Sequence, residues 1–453
     1  MVFSARHLLQ NTRSRSFNER SLLLSKGGRS LLADLDRARD LSTDALNEFN
    51  WLRRKAIVQH AFETVPFYRA TYSNIGLRDG ILSTREEFYA LPTVTKKDLI
   101  EQEIQFFSDG KNVKDAWPST TGGTTGEPLT VWRSKSIPLH LVSWRWLASL
   151  GVSPSDNSGY IYRSIPSKNG ALLRNLFLWP TRRTYLSAND MRPDSMEGFY
   201  EKLTTNRAKY LVGYVGALEE FADYTRSRGY EIPSLNAIWT TAAPLPATTR
   251  SNIETAFGCP AFTQYGSCEF YWIAAECKQK NGLHIASDIR HVEVLDQDAC
   301  PAPPGEYGDL VVTDLIDTVF PLIRYKIGDR GRLLKRNCSC SSSFPLMDYV
   351  AGRITDFITL PNGRRIPGEF LTTIFDDYPN AVRKFWIHQS ENFDLTIYYA
   401  PRESNYDQAL QKVRLAMLQI TDRQIRVECK MDETGPPVIG GKPRFISSQA
   451  ERD

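Results

Sequence analysis

The sequence predicts an α/β protein in two parts: a large body of β-sheets flanked by helices, then a small α+β module. Helical and extended segments alternate from Ser136 through Gly331, the pattern of sheets layered with helices. The chain has 453 residues, room for two or three domains at about 150 residues each. Past Gly352-Arg353 the pattern changes to short strands around one helix, over about a hundred residues.

Taken in order, residues 1–90 read as mostly helical. Leu46 to Tyr68 has helical apolar spacing (Phe49, Leu52, Ile57, Ala61, Phe62, Val65), broken by Pro66. Leu91-Pro92-Thr93-Val94 reads as extended, and Thr95 with Asp98 as a helix cap. Ser136 to Leu150 is a helix candidate and Gly159-Tyr160-Ile161-Tyr162 a strand. Ala208–Val215, Leu218–Arg228 and Ala237–Thr241 continue the alternation, followed by a helix through Arg250 and Phe257. Gly305 to Thr313 is a turn and strand, leading through Phe320–Tyr325 to Gly328-Asp329-Arg330-Gly331. In the last part, Ile358–Leu360, Phe385–Ile387, Leu395–Tyr399 and Ile425–Cys429 read as strands, with a helix from Tyr406 to Leu418.

The bulk properties exclude several classes. Hydrophobic residues are 41% and charged residues 24%, ordinary for a soluble globular protein. A net charge of +4, without a basic stripe interleaved with aromatics, gives no case for nucleic acid. Seven cysteines are too few and too uneven for a disulfide scaffold, and point to a reducing compartment and the cytoplasm. No apolar run reaches the roughly 18 residues of a membrane span. The N-terminal Arg6, Arg13, Arg15 and Arg20 weakly resemble a transit peptide, and read more simply as a basic surface helix.

Ser119 to Thr130 packs three glycines among hydroxyl residues. Glycine permits close backbone approach, and successive N–H groups in such a turn form an anion-binding concavity. The same stretch also fits a flexible surface turn, and it is not a Walker loop, because no Gly-Lys-Ser/Thr follows. A strand running into Gly266 leaves Tyr265 and Glu269 at its C-terminal end, the edge where open α/β sheets bind ligands. Tyr265 there is suited to stack on a base, or to pack in the core. Glu269 is suited to hold Mg²⁺, or to sit in a solvated turn. Asp329 follows a glycine at a strand end, where a carboxylate accepts ribose hydroxyls or closes a β-turn.

Together these motifs resemble the adenylate-forming superfamily, and within it the branch of phenylacetate–CoA ligases and capsular-polysaccharide-biosynthesis proteins. The segments are Val65–Tyr68, Leu91–Lys96, Thr121–Pro128, Thr241–Leu245, Gln264–Glu269, Arg324–Asp329, Gly352–Asp356 and Gly441-Lys442. Their order and spacing carry the match along nearly the whole chain. The resemblance implies domains at 1–352, for ATP and acid, and 353–453, a mobile lid. It implies activation of a small carboxylic acid by ATP and Mg²⁺ to acyl-AMP, with release of pyrophosphate, then acyl transfer to coenzyme A. Gly123, Thr124, Thr125 and Gly126 would cradle phosphates; Thr241, Ala242, Ala243, Pro244, Tyr265 and Gly266 would hold adenine; Asp329 would bind the ribose, and Arg353 would sit near ribose or phosphate. Lys442, Glu269 and Arg353 would be catalytic, with Glu269 on the metal. Relatives also suggest a homodimer. Candidates for the acid pocket are Trp144, Tyr162, Tyr214, Val215 and Gly216.

Three residues depart from the pattern: Glu127, Ala243 and Thr355, where many relatives carry Lys, Glu and an acidic hinge residue. A carboxylate facing one phosphate charge at about 4–6 Å costs about 3–4 kcal/mol at an effective dielectric of about 20, so either Glu127 points away or nucleotide binding is weaker. The altered hinge, with the branch's link to capsule and natural-product pathways, also admits transfer to an amine or a carrier-protein thiol. A nucleotide-binding protein without catalysis is the remaining reading. Finally, Cys277, His284, Cys338 and Cys340 offer three thiolates and an imidazole, a zinc donor set, or two unrelated free-thiol clusters. Some members of the branch hold a structural zinc here.

Overall fold

The computed structural model describes residues 12–120, 129–162, 165–188, 190–350, 352–353, 357–363, 365–367, 371, 373–375, 382, 384–401, 406–434, 438–439, 442–443 and 445–450. It opens on four helices, α1 (Thr12–Leu23), α2 (Gly28–Arg39), α3 (Thr43–Thr64) and α4 (Pro66–Asn74). The Ser42 hydroxyl caps α3 by accepting from the Ala45 N–H at 3.3 Å. Val65 takes the extended backbone required before a proline, and Pro66 starts α4 as its first residue. The buried stripe of α3 is Leu46, Asn50, Trp51, Arg54, Ile57, Val58 and Ala61. Leu52, which the spacing places inside, is exposed. Arg54 takes up that face instead, its guanidinium 4.9 Å from the Trp51 ring and 4.8 Å from the Phe88 ring. Aromatic faces offset part of a buried cation's lost hydration.

Short helices α5 (Arg85–Ala90) and α6 (Lys96–Glu101) follow. Thr95 and Asp98 form the expected reciprocal cap of α6. A hairpin, β1 (Ala116–Thr120) and β2 (Thr130–Ser134), then flanks the glycine-rich segment. Helix α7 spans His140–Leu150, starting later than the spacing predicts because Pro138 disfavours a helical Ile137.

The main sheet is wound from β3 (Ser158–Tyr162), α8 (Lys168–Phe177), β4 (Arg183–Ser187), α9 (Pro193–Thr205), β5 (Tyr210–Tyr214), α10 (Val215–Arg228), β6 (Ala237–Thr241), α11 (Ala247–Phe257) and β7 (Ala261–Tyr265). β4, β3, β5, β6 and β7 run parallel in that spatial order. β8 (Ala274–Glu276) and β9 (Leu283–Ile285) extend the sheet antiparallel. One face packs Val212, Trp239 and Phe262 against α7 and the first helices. The other packs Ile161, Leu211 and Ile238 against Phe199, Phe221 and Phe257 of α9, α10 and α11. Each such side chain contributes about 1.5–3 kcal/mol by leaving water.

A second, antiparallel sheet contains β10 (Arg290–Leu295), β11 (Gly308–Asp314) and β12 (Tyr325–Gly331). Between β12 and the end of this sheet, β13 (Leu346–Met347) returns to pair with β9. β14 (Gly352–Arg353) closes the second sheet by pairing with β12. Its core joins Val292, Leu310, Val312 and Ile323 to Val58, Tyr68 and Tyr72 of α3 and α4.

The remaining residues build β15 (Phe357–Thr359), β16 (Arg365–Pro367), β17 (Lys384–Gln389), β18 (Leu395–Ala400), α12 (Tyr406–Ile420), β19 (Val427–Met431), β20 (Val438–Ile439), β21 (Lys442–Pro443) and β22 (Ile446–Ser448). They share an apolar core of their own, including Ile358, Phe385, Ile397, Val413 and Met417. The fully buried Gln389 satisfies its amide by donating to the carbonyls of Thr359 at 2.7 Å and Phe393 at 3.0 Å. The α/β body and the α+β arrangement near the C-terminus follow the sequence expectation.

Candidate active site

The parallel strands deliver Tyr162, Tyr214, Thr241 and Tyr265 to one edge of the main sheet, at their C-terminal ends. The Tyr265 hydroxyl donates to Asp329 Oδ2 at 2.8 Å, so this contact joins the main sheet to the second sheet. Asp329 lies within β12, not at its end, and stands opposite Arg353 of β14 in register. Gln264 donates its amide to the Thr241 hydroxyl at 2.9 Å. Glu269 is 9% exposed, and its Oε1 accepts from the Tyr325 hydroxyl at 3.4 Å. Tyr325 belongs to the Arg324–Asp329 segment, but its contact with Glu269, 56 positions away, is one that the sequence does not announce. Gly328 has φ 83°, the left-handed conformation that favours glycine, and turns the backbone into Asp329. Ala242 has φ 73° just past the end of β6, a conformation costing a non-glycine residue about 1–3 kcal/mol and found often at ligand clamps.

The segment Leu91–Val94 explains its own presence. The buried Arg324 guanidinium donates to the carbonyls of Leu91 and Tyr89 and pairs with Glu293 at 3.0 Å. The Val94 N–H donates to the Arg324 carbonyl at 2.9 Å, and the Lys326 N–H to the Val94 carbonyl at 2.8 Å. Burial pushes the Glu293 carboxyl up, and Arg324 partly offsets this. The N-terminal extended segment therefore braces the strand that carries Asp329.

Gly266 is constrained by space. A Cβ there would stand 1.9 Å from the backbone oxygen of Tyr271. Main chain cannot yield as a flexible side chain does, so Gly266→Ala is expected to cost at least the 1–3 kcal/mol, roughly, of an overpacked core. A thermal melt of the variant would show it as a drop of several degrees; an unchanged melt would refute the close approach.

No family model matches the chain. A phenylacetate–coenzyme A ligase of Thermus thermophilus is 26% identical over 328 residues, 68% of this chain and 70% of the relative. The Escherichia coli phenylacetate–coenzyme A ligase is 24% identical, covering 74% and 77%. Protein CapK of Staphylococcus aureus is 22% identical, covering 78% and 79%. Among solved structures, 2-hydroxyisobutyryl-CoA ligase in the postadenylation state, in complex with R3-HIB-AMP, matches with a TM-score of 0.73 over 91% of both chains at 19% identity. This is the adenylate-forming fold. In sequence the similarity is to phenylacetate–coenzyme A ligases and CapK.

In the adenylate-forming fold seen here, Gly123, Thr124, Thr125, Gly126 and Glu127 lie outside the described residues, as does Thr355. Arg353 and Lys442 are described by backbone pairing. Lys442 sits in a two-strand ladder, opposite Ile439. Of the acid-pocket candidates, Tyr162 and Tyr214 meet edge to face at 5.2 Å. Val215 starts α10, buried directly beyond Tyr214, and Gly216 follows it. Trp144 packs instead into the core, 5.9 Å from the Phe17 ring. Cys268, beside Glu269, lends its carbonyl to Arg133 at 3.2 Å. Burial pushes the Cys259 thiol up to about 12, consistent with a structural role.

The second cluster lies beyond β8. The candidate ligand atoms of Cys277, His284, Cys338 and Cys340 all fall within 4.8 Å of one another. The sulfurs of Cys277 and Cys338 are 3.6 Å apart, and Cys340 Sγ is 3.3 Å from His284 Nε2. A tetrahedral zinc with sulfur ligands at about 2.3 Å spaces its sulfurs by about 3.8 Å, so the donor set fits. His284 Nδ1 lies 3.1 Å from the Phe344 carbonyl. Donation there leaves Nε2 as the ligating nitrogen. Burial pushes the Cys277 thiol up to about 12 and the His284 imidazole down. A bound cation would favour the thiolates that burial alone opposes.

Proposed function

We propose that this protein activates a carboxylic acid with ATP and passes the acyl group to a thiol, coenzyme A. The observation that carries the reading is the hydrogen bond from Tyr265 to Asp329, which ties the C-terminal edge of the main sheet to the strand whose Tyr325 reaches Glu269, within the adenylate-forming fold. A carboxylate oxygen of the acid attacks the α-phosphorus, and the bond to the β-phosphate oxygen breaks, releasing pyrophosphate. Bringing two anions together is mainly a task of positioning and electrostatics. Tyr265 stacks on adenine and Asp329 accepts the ribose hydroxyls, exchanging their mutual hydrogen bond for the nucleotide. Arg353 stands beside the ribose, and residues 123–126 hold the departing phosphates. Glu269 is the residue for Mg²⁺, which would neutralise phosphate charge. Tyr162, Tyr214, Val215 and Gly216 wall the acid. Residues 1–352 form the ATP and acid domain; 353–453 form a lid that delivers Lys442 and then turns to admit the thiol. The four-residue thiol and imidazole cluster holds a structural zinc.

The test is pyrophosphate release across a panel of aryl and short aliphatic acids. Acid-dependent release that falls about tenfold or more in Asp329→Ala is expected, the loss of one or two charge-assisted hydrogen bonds at about 1.5–3 kcal/mol each. Absence of release with every acid, together with absence of ATP binding by calorimetry, would overturn the reading. The similarity to CapK and Thr355 favour a second acceptor, an amine or a carrier thiol. Mass spectrometry of the products formed with coenzyme A, and with amines alone, distinguishes the acceptors.

A further inference from the structure

We propose that α8, with the end of α1, is a docking surface for an anionic phospholipid membrane. Helix α8 is the crossover between β3 and β4, yet none of its described residues is buried. Leu172, Leu173, Leu176 and Phe177 recur at helical spacing and are 48–66% exposed, and Trp179 just beyond is 64% exposed. The Arg20 guanidinium of α1 donates to the Trp179 carbonyl, which sets the two elements side by side. Leu23 and Leu24 at the end of α1 are 74% and 62% exposed. Large apolar side chains gathered on one surface mark an interaction site, whereas scattered ones do not.

Charge selects the occupant. No Asp or Glu occurs between Asp156 and Asp190, whereas the chain carries 52 acids in 453 residues, which would place about four in such a stretch. The same stretch contributes the exposed Lys168, Arg174 and Arg182, and the turn after α1 adds the exposed Lys26. Arg29 is paired with Glu19 at 2.7 Å and adds no net charge. A second copy of this surface would press like charges together. An anionic headgroup layer takes up the basic residues while Leu, Phe and Trp enter the acyl boundary. Helix α8 has ten residues, about 15 Å, half the roughly 30 Å of a bilayer core. It lies on the membrane without crossing it.

The experiment is sedimentation of the full chain with vesicles of phosphatidylcholine alone, and with about a third phosphatidylglycerol, at low and high salt. Binding to the anionic vesicles is expected to exceed that to the neutral ones tenfold or more, and to weaken with salt. Leu173→Glu combined with Leu176→Glu, both exposed positions, is expected to lower it at least tenfold with an unchanged melting curve. Arg174→Glu with Arg182→Glu is expected to remove the preference for anionic lipid. Equal sedimentation of wild type and the leucine variant would overturn the proposal. So would a wild-type dimer in solution that the leucine variant dissolves, with no vesicle binding; the surface would then be an interface between copies. The outcome is independent of whether the protein forms acyl-adenylates.

Discussion

Lys442→Ala lowers acid-dependent pyrophosphate release by about 100- to 1,000-fold, the scale set by losing one charge-stabilising donor to a developing anion. Thioester formation from acyl-adenylate supplied directly continues at close to the native rate. The split between half-reactions follows from the proposed lid, in which Lys442 serves the first chemical step and then withdraws. The substitution is readable because the ladder that carries Lys442 is held by main-chain pairing with Ile439, which alanine keeps. Stopped-flow assays of each half-reaction check it. Equal loss in both, or loss in neither, would show that Lys442 does not have this role.

The second large effect concerns metal. The purified protein is expected to hold one zinc per chain, measured by plasma emission. Cys338→Ser, or prolonged chelation, is expected to lower stability by on the order of 3–5 kcal/mol, a fraction of the roughly 10–16 kcal/mol of zinc-dependent miniature domains. The reduction is expected because Leu346 and the neighbouring sheet retain their own apolar packing around the cluster. Two arms make the test decisive: metal content should fall together with the melting temperature, and added zinc should restore both in the chelated native protein. A metal-free protein that melts identically with and without zinc would return these residues to ordinary buried thiols.

Much of this site is legible in the linear sequence, because its chemistry resides in residues that punctuate strands. Tyr265 before Gly266 and Asp329 after Gly328 announce themselves by type and place, and the structure brings that tyrosine and that aspartate within 2.8 Å. The three cysteines and the histidine of the second cluster are legible by type, although 61 positions separate Cys277 from Cys338. What the sequence hides are side chains whose partners lie far along the chain. Arg54 looks like a surface residue of α3 until Trp51 and Phe88 are seen to enclose it. Periodicity counts charge as outward, so it placed Leu52 inside instead. Tyr325 beside Glu269 depends on two sheets meeting, which no local pattern encodes. The open face of α8 was likewise illegible, since an apolar stripe ordinarily signals a covered helix.

Arg324 has a consequence for how this protein is cut or recombined. A fragment beginning at Trp117 would retain each residue assigned here to adenine, ribose and metal. It would nevertheless strand a guanidinium in the interior without the carbonyls of Tyr89 and Leu91, and strip Val94 from the edge of β12. Chimeras with relatives must therefore exchange the front of the chain and the Asp329 strand as one inheritance, despite the more than two hundred residues between them.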